Sequence, residues 1–222
     1  MQTRWLHRKN QDECLLFMAG WAMGPEPFQQ LAHGGMDVLM VYDYRHLAVE
    51  ELLAVLPVKR HLHLLAWSMG VWVAATCLGE IPFQSATALG GTCRPVHATC
   101  GIPGNIFEAT LADLSMPVLK GFYQAMFDQP KHCKLFFDNK PTRPLSHLHQ
   151  ELKNIKECVD ITPGGDDIFD YHCVTGRDKI FPARNQLRAW GRKNCITRPW
   201  PHFPFYNHKS WPELLEHIRH DQ

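Results

Sequence analysis

The stretch from His61 to Leu78 constrains this chain more than any other. His61-Leu62-His63-Leu64-Leu65-Ala66-Trp67 reads as a short buried strand, and Gly70 to Leu78, rich in Ala and Val, reads as a helix with no breaker inside it. Ser68 therefore sits at a strand-to-helix turn. A sharp turn of this kind pushes a hydroxyl out at the top of a sheet, and it needs small residues two before and two after, so that strand and helix can approach. The pattern here is Ala66-x-Ser68-x-Gly70, with alanine at the first small position. Serine is also an ordinary residue at a helix start, where it caps free N–H groups. The rest of the chain has to decide between a nucleophile and a cap.

The order of elements supplies a framework. Short apolar runs alternate with helical patterns, the signature of an α/β sheet. Cys14 to Ala19 is a strand buried on both faces, followed by the loop Gly20-Trp21-Ala22-Met23-Gly24-Pro25 and an expected helix around Glu26 to Ala32. Val38 to Tyr42 is the next strand, ending at Asp43, and a helical segment from Val49 to Leu56 is closed by Pro57. After the Ser68 turn and its helix comes the strand Ser85 to Leu89, ending in Gly90-Gly91-Thr92. From about Gly101 to Asp160 strand signals fade. Amphipathic segments near 106–114, 118–127 and 145–158, separated by Pro-containing joints, predict a helical cap over the sheet edge. The sheet resumes at Tyr171 to Thr175, a helix follows from Ala183 to Trp190, a last strand runs near Asn194 to Arg198, and a closing helix spans Ser210 to His220. The expectation is one α/β domain over residues 1–222, a mostly parallel sheet with helices on both faces and a cap at about 101–160.

Chain order then tests the serine. In α/β-hydrolases the acid and the base follow the nucleophile, each on a loop after a strand. Asp178 follows the strand ending at Thr175, and His202 follows the last strand. Asp43 precedes Ser68 and loses the acid role on order, while Asp166, Asp167 and Asp170 lie before their strand in a Gly-containing turn. For the base, His202 and His208 both qualify by order. His202 is preferred, because its loop position lets the ring swing back over the sheet edge, whereas His208 stands near the start of the final helix. The oxyanion formed on attack needs preorganised N–H donors. Met69, next after the serine and at the helix start, provides one, and Trp21, on the loop after the early strand, is placed to provide the other.

Composition narrows the partners. Lys and Arg number 23 against 22 acidic residues, so no global charge draws the 222-residue chain to nucleic acid or to a membrane surface. The first ten residues lack the apolar core of a signal peptide, and no apolar run reaches membrane-spanning length. Eight scattered cysteines without C-x-x-C spacing fit a reduced, cytoplasmic setting. His61/His63 and His147/His149 each lie two apart, but neither pair has an assignable third ligand, so no metal and no cofactor is expected.

The residues also carry a family resemblance. Ala66-Trp67-Ser68-Met69-Gly70-Val71-Trp72-Val73-Ala74, with Ala19-Gly20-Trp21, Tyr42-Asp43-Tyr44, Gly101-Ile102-Pro103, Arg177-Asp178-Lys179-Ile180-Phe181 and the final His/aromatic loop, resembles the short pimeloyl-[acyl-carrier-protein] methyl ester esterases of biotin synthesis. The resemblance implies hydrolysis of the methyl ester of pimeloyl-acyl carrier protein by Ser68, Asp178 and His202, with an acyl carrier protein as partner. In the longer esterases of the same activity, an aromatic residue of the cap contacts the acyl chain and arginines engage the carrier's phosphopantetheine arm. By resemblance Phe122 contacts the acyl chain, although Phe122, Tyr123 and Phe127 also have the spacing of an ordinary core stripe, and the Trp21 indole, on the loop after the early strand, is placed to line the same channel. The arginines are not reproduced in register, and Lys120, Lys131, Lys134, Lys140 and Arg143 are the available cationic residues. An acyl thioesterase or general short-chain carboxylesterase uses the same three residues, and a non-catalytic carrier-binding module is the remaining alternative.

Overall fold

The structure is a computed structural model and describes residues 1–57 and 61–219. Seven strands form one sheet: β1 (Gln2–His7), β2 (Glu13–Met18), β3 (Asp37–Tyr42), β4 (His61–Trp67), β5 (Ser85–Leu89), β6 (Tyr171–Thr175) and β7 (Ile196–Arg198). Their order is β1-β3-β2-β4-β5-β6-β7. All neighbours are parallel except β1, which runs antiparallel to β3. Strands covered on both faces read as continuous apolar runs, and Cys14 to Met18 of β2 is fully buried.

Helices α1 (Val49–Val55), α2 (Met69–Cys77), α7 (Ala183–Trp190) and α8 (Trp211–Arg219) flank the sheet. Between β5 and β6 lie α3 (Gly104–Ala112), α4 (Met116–Ala125), α5 (Pro130–Asp138) and α6 (Leu145–Ile161). Every residue of α2 from Met69 to Ala75 is buried. A helix apolar on all sides has no solvent face to offer, which is why it sits at the centre rather than on the rim. In α6, Leu148, Leu152, Ile155 and Val159 form the buried stripe expected of helical spacing.

The insertion is tied to the sheet by polar contacts as well as by apolar ones. Trp21 Nε1 donates to Leu148 O at 2.9 Å, and Tyr123 OH donates to Ala22 O at 2.9 Å. Arg143, ahead of α6, donates to Met23 O at 3.0 Å and Glu151 Oε2 at 2.8 Å, and pairs with Asp43 Oδ1 at 2.9 Å. Burial pushes the Glu151 carboxyl up to about 7 even beside Arg143 and the Tyr44 N–H. Asp43 goes the other way: burial raises it, but Arg45 and Arg143 outweigh burial and hold it below its ordinary value.

Four expectations change. Strand β1 was not anticipated, and α5 is an additional helix of the insertion. The helix expected over Glu26 to Ala32 is a single 3-10 turn, Glu26–Phe28. Pro25 and Pro27 remove two N–H groups there, and Ala32 is instead bonded on both sides to the 209–211 segment, Ala32 N to Lys209 O and Trp211 N to Ala32 O. The last strand begins at Ile196 rather than Asn194, and the expected final residue of the closing helix, His220, lies outside the described residues.

Candidate active site

The elbow at Ser68 follows from close packing. Ser68 has φ 58° and ψ −125°, a left-handed conformation that a non-glycine residue adopts only under constraint. Its N–H is bonded to Leu89 O at 3.0 Å and its carbonyl accepts Val71 N–H at 3.1 Å, so the turn is held from both sides. Three glycines make room. A Cβ on Gly70 would lie 2.3 Å from Met18 O, one on Gly91 would lie 2.3 Å from Ser68 O, and one on Gly20 would lie 3.0 Å from Ser68 Cβ. Gly90-Gly91, too short for a phosphate cradle, is explained by this approach of β5's end to the elbow.

Asp178 and His202 arrive at the same edge from the ends of β6 and β7. His202 Nδ1 stands 2.7 Å from Asp178 Oδ2, and His202 Nε2 stands 3.0 Å from Ser68 Oγ. A carboxylate only accepts, so the shared proton sits on Nδ1 and Nε2 is left to accept from the serine hydroxyl. Ser68 and His202 are buried, and the Asp178 side chain has no exposure although its backbone is partly open to solvent. Its charge is met by other donors: Ile180 N–H at 2.8 Å and Phe181 N–H at 2.7 Å reach Oδ1, while Thr175 Oγ at 2.7 Å and Gln186 Nε2 at 3.2 Å reach Oδ2. The histidine loop is fixed by Trp67, which precedes the serine. Its Nε1 donates to His202 O at 2.8 Å, and its ring packs 5.1 Å from the imidazole. Phe203 and Phe205 enter an aromatic cluster with Phe17, Phe28, Trp67 and Trp211, which anchors the loop by burial.

His208, the other candidate base, is turned elsewhere. Its Nδ1 meets His217 Nδ1 at 3.1 Å and its ring packs on Trp200, and burial together with His217 pushes its imidazole down to about 4.

A cavity of about 280 Å³ opens at Ser68, walled by Trp21, Met69, Ile102, Phe107, Val118 and Phe122, with Lys179 the only charged lining residue among the described residues. Trp21 and Phe122 meet edge to face at 4.9 Å, so the two aromatics marked in the sequence form one wall. Met69 is the first residue of α2, where an N–H has no intrahelical acceptor and the helix dipole is positive. Trp21 follows Gly20, where an added Cβ would lie 3.3 Å from Ser68 Oγ. Of the cationic residues named above, Lys120, Lys131, Lys134 and Lys140 are exposed, but Arg143 is not: its side chain is 9% exposed and engaged with Asp43 and Glu151. It holds the insertion in place and does not face a partner. Thr175 and Gln186 escaped the sequence reading altogether, since nothing in a strand threonine or a helical glutamine marks a neighbour of Asp178.

The strand order, the elbow after β4 and the helical insertion after β5 define an α/β-hydrolase fold. A lipase-esterase related protein from Clostridium acetobutylicum shares it, with a TM-score of 0.62 at 13% identity over 98% of each chain, a likeness of fold alone. The chain belongs to the family described as pimeloyl-ACP methyl esterase BioG, which matches residues 1–213. A crystal structure of BioG from Haemophilus influenzae superposes with a TM-score of 0.85 at 30% identity, covering 96% of this chain and 98% of that one. A Bacteroides fragilis protein named malonyl-[acyl-carrier protein] O-methyltransferase is 34% identical over 185 residues, 82% of this chain but only 37% of that protein. No described helix is long and apolar enough to cross a membrane.

Proposed function

We propose that this chain hydrolyses the methyl ester of pimeloyl-[acyl-carrier protein], giving the free carboxylate and methanol. One observation carries the reading: in a chain of this family, the hydrogen-bonded row Ser68, His202, Asp178 opens onto an apolar cavity sized for an acyl chain. Ser68 Oγ attacks the ester carbonyl as its proton passes to His202 Nε2, and Asp178 stabilises the resulting imidazolium. The N–H groups of Met69 and Trp21 receive the oxyanion. Collapse expels the methoxy group, which leaves as methanol with the proton from His202. Water, deprotonated by the same imidazole, then releases the acyl group from Ser68 as a carboxylic acid, which ionises. Trp21 and Phe122 pack on the methylene chain, and the four helices between β5 and β6 act as a cap that keeps water from it. Eight scattered cysteines without C-x-x-C spacing suit a reducing cytoplasm.

The test offers the carrier-linked methyl ester to the purified chain and follows intact mass. Loss of one methyl group with the thioester preserved supports the reading. Release of carrier thiol faster than methanol makes the chain a thioesterase, and binding without mass change makes it a carrier-binding module.

A further inference from the structure

Among the described residues, one cluster of metal-ligating side chains stands apart from the Ser68 cavity: His208, on the loop after the 3-10 turn Phe205–Asn207, with Glu213 and His217 of α8. The two Nδ1 atoms are 3.1 Å apart. Imidazole nitrogens approach so closely only across a proton or across a cation. Two nitrogens on one tetrahedral zinc, each ~2.0–2.1 Å from the ion, stand roughly 3.4 Å apart, so a few tenths of an ångström of opening admits the metal.

Glu213 precedes His217 by four residues and shares its helix face. The three ligand atoms lie within 4.8 Å of one another. Glu213 Oε2 also accepts the Lys209 N–H at 2.7 Å, the outer hydrogen bond that orients a ligating carboxylate and leaves the other oxygen for an ion. The helix face behind the pair is fixed, since Trp211, Leu214, Leu215 and Ile218 are all buried. His208 Nε2 is buried without a hydrogen-bond partner, so the ring is committed to its Nδ1 contact. A cavity of about 270 Å³ lined by Trp200, Arg198, His208 and His217 adjoins the cluster and has room for a water or small anion as a fourth ligand.

We propose that His208, Glu213 and His217 bind one divalent transition-metal ion, with zinc the best match to two imidazoles and a carboxylate. The ion staples the segment carrying His202 and His208 to α8. It does so away from the reacting serine, so the site is structural and independent of the ester assigned above.

The test uses the full chain stripped with a chelator, titrated calorimetrically with Zn2+ and spectroscopically with Co2+. One ion per chain, a raised Tm and the intense visible absorption of four-coordinate cobalt are expected. His217→Gln should weaken Zn2+ binding by more than the ~100-fold that loss of an outer-shell partner can cost, while His149→Gln, exposed on α6, leaves it unchanged. Glu213→Gln is read in the same way if His217→Gln does not fold. Equal Zn2+ affinity in wild type and the folded ligand variant, or no stoichiometric binding in wild type, overturns the proposal and leaves a proton-sharing histidine pair.

Discussion

The sheet carries two rows of serine, histidine and carboxylate, one at each end of its strands. At the carboxyl ends, Ser68, His202 and Asp178 are linked at 3.0 and 2.7 Å. At the amino ends, Ser85, His63 and Glu13 are linked at 2.7 and 2.6 Å across β5, β4 and β2. By hydrogen-bond length the second row is the tighter. Its surroundings are nevertheless those of a structural clasp. Ser85 lies in a regular strand, its Oγ also accepts from Arg219 Nη2 at 2.5 Å, and Glu13 is 46% exposed and shared with His61. Ser68 instead stands on a strained turn at a helix start, its carboxylate partner is closed off from water, and an apolar cavity opens beside it. A row of the right atoms is therefore not sufficient. Helix N–H groups, a dry acid and an adjoining apolar cavity separate the two.

The largest effect should come from Ser68→Ala, which lowers kcat/KM for a carboxyl ester by at least about 10^4-fold with the fold intact by circular dichroism. Ser85→Ala should leave it within about two-fold; a comparable loss from both would erase the distinction. Asp178→Asn should cost about 10^3- to 10^4-fold in kcat with the structure preserved, because the imidazole loses its tautomer. Gln186→Met removes one donor to Asp178 and should lower kcat by about ten-fold at unchanged KM, with about 1–3 kcal/mol lost from stability. Equal stability loss without a kcat effect would make Gln186 a packing residue only.

The smallest effect belongs to the amino-end row. Burial alone would raise the Glu13 carboxyl, but hydrogen bonds from His63 and His61 outweigh burial and hold it below its ordinary value of 4.5. The stabilisation it supplies is therefore complete above that value and is lost as pH falls through the lower folded-state value. Glu13→Gln should cost under about 1 kcal/mol at neutral pH, given the exposure, and nothing in strong acid, with ester turnover untouched. Chemical unfolding at pH 7 and at pH 3 measures the difference.

Much of the carboxyl-end site was legible in the chain, because each of its residues follows a strand and the three occur in the order such folds require. The elbow glycines are punctuated in the same way. The edge strand β1 was missed because Gln2 to His7 mixes charge and apolar residues and gains its identity only by pairing with β3. Helix α5 hides behind its two lysines and the proline at its start. The inward turn of Arg143 depends on Met23 and Asp43, far away in the chain, while Thr175 and Gln186 reach Asp178, and His208 reaches His217, across turns between one element and the next. Local pattern carries no trace of such pairings.

The most direct test labels the chain with a fluorophosphonate, which reacts only with an activated serine, and maps the adduct by peptide mass spectrometry. A single adduct on Ser68, abolished in His202→Gln, is the predicted result. An adduct on Ser85, or ester turnover that survives stoichiometric labelling of Ser68, would contradict it.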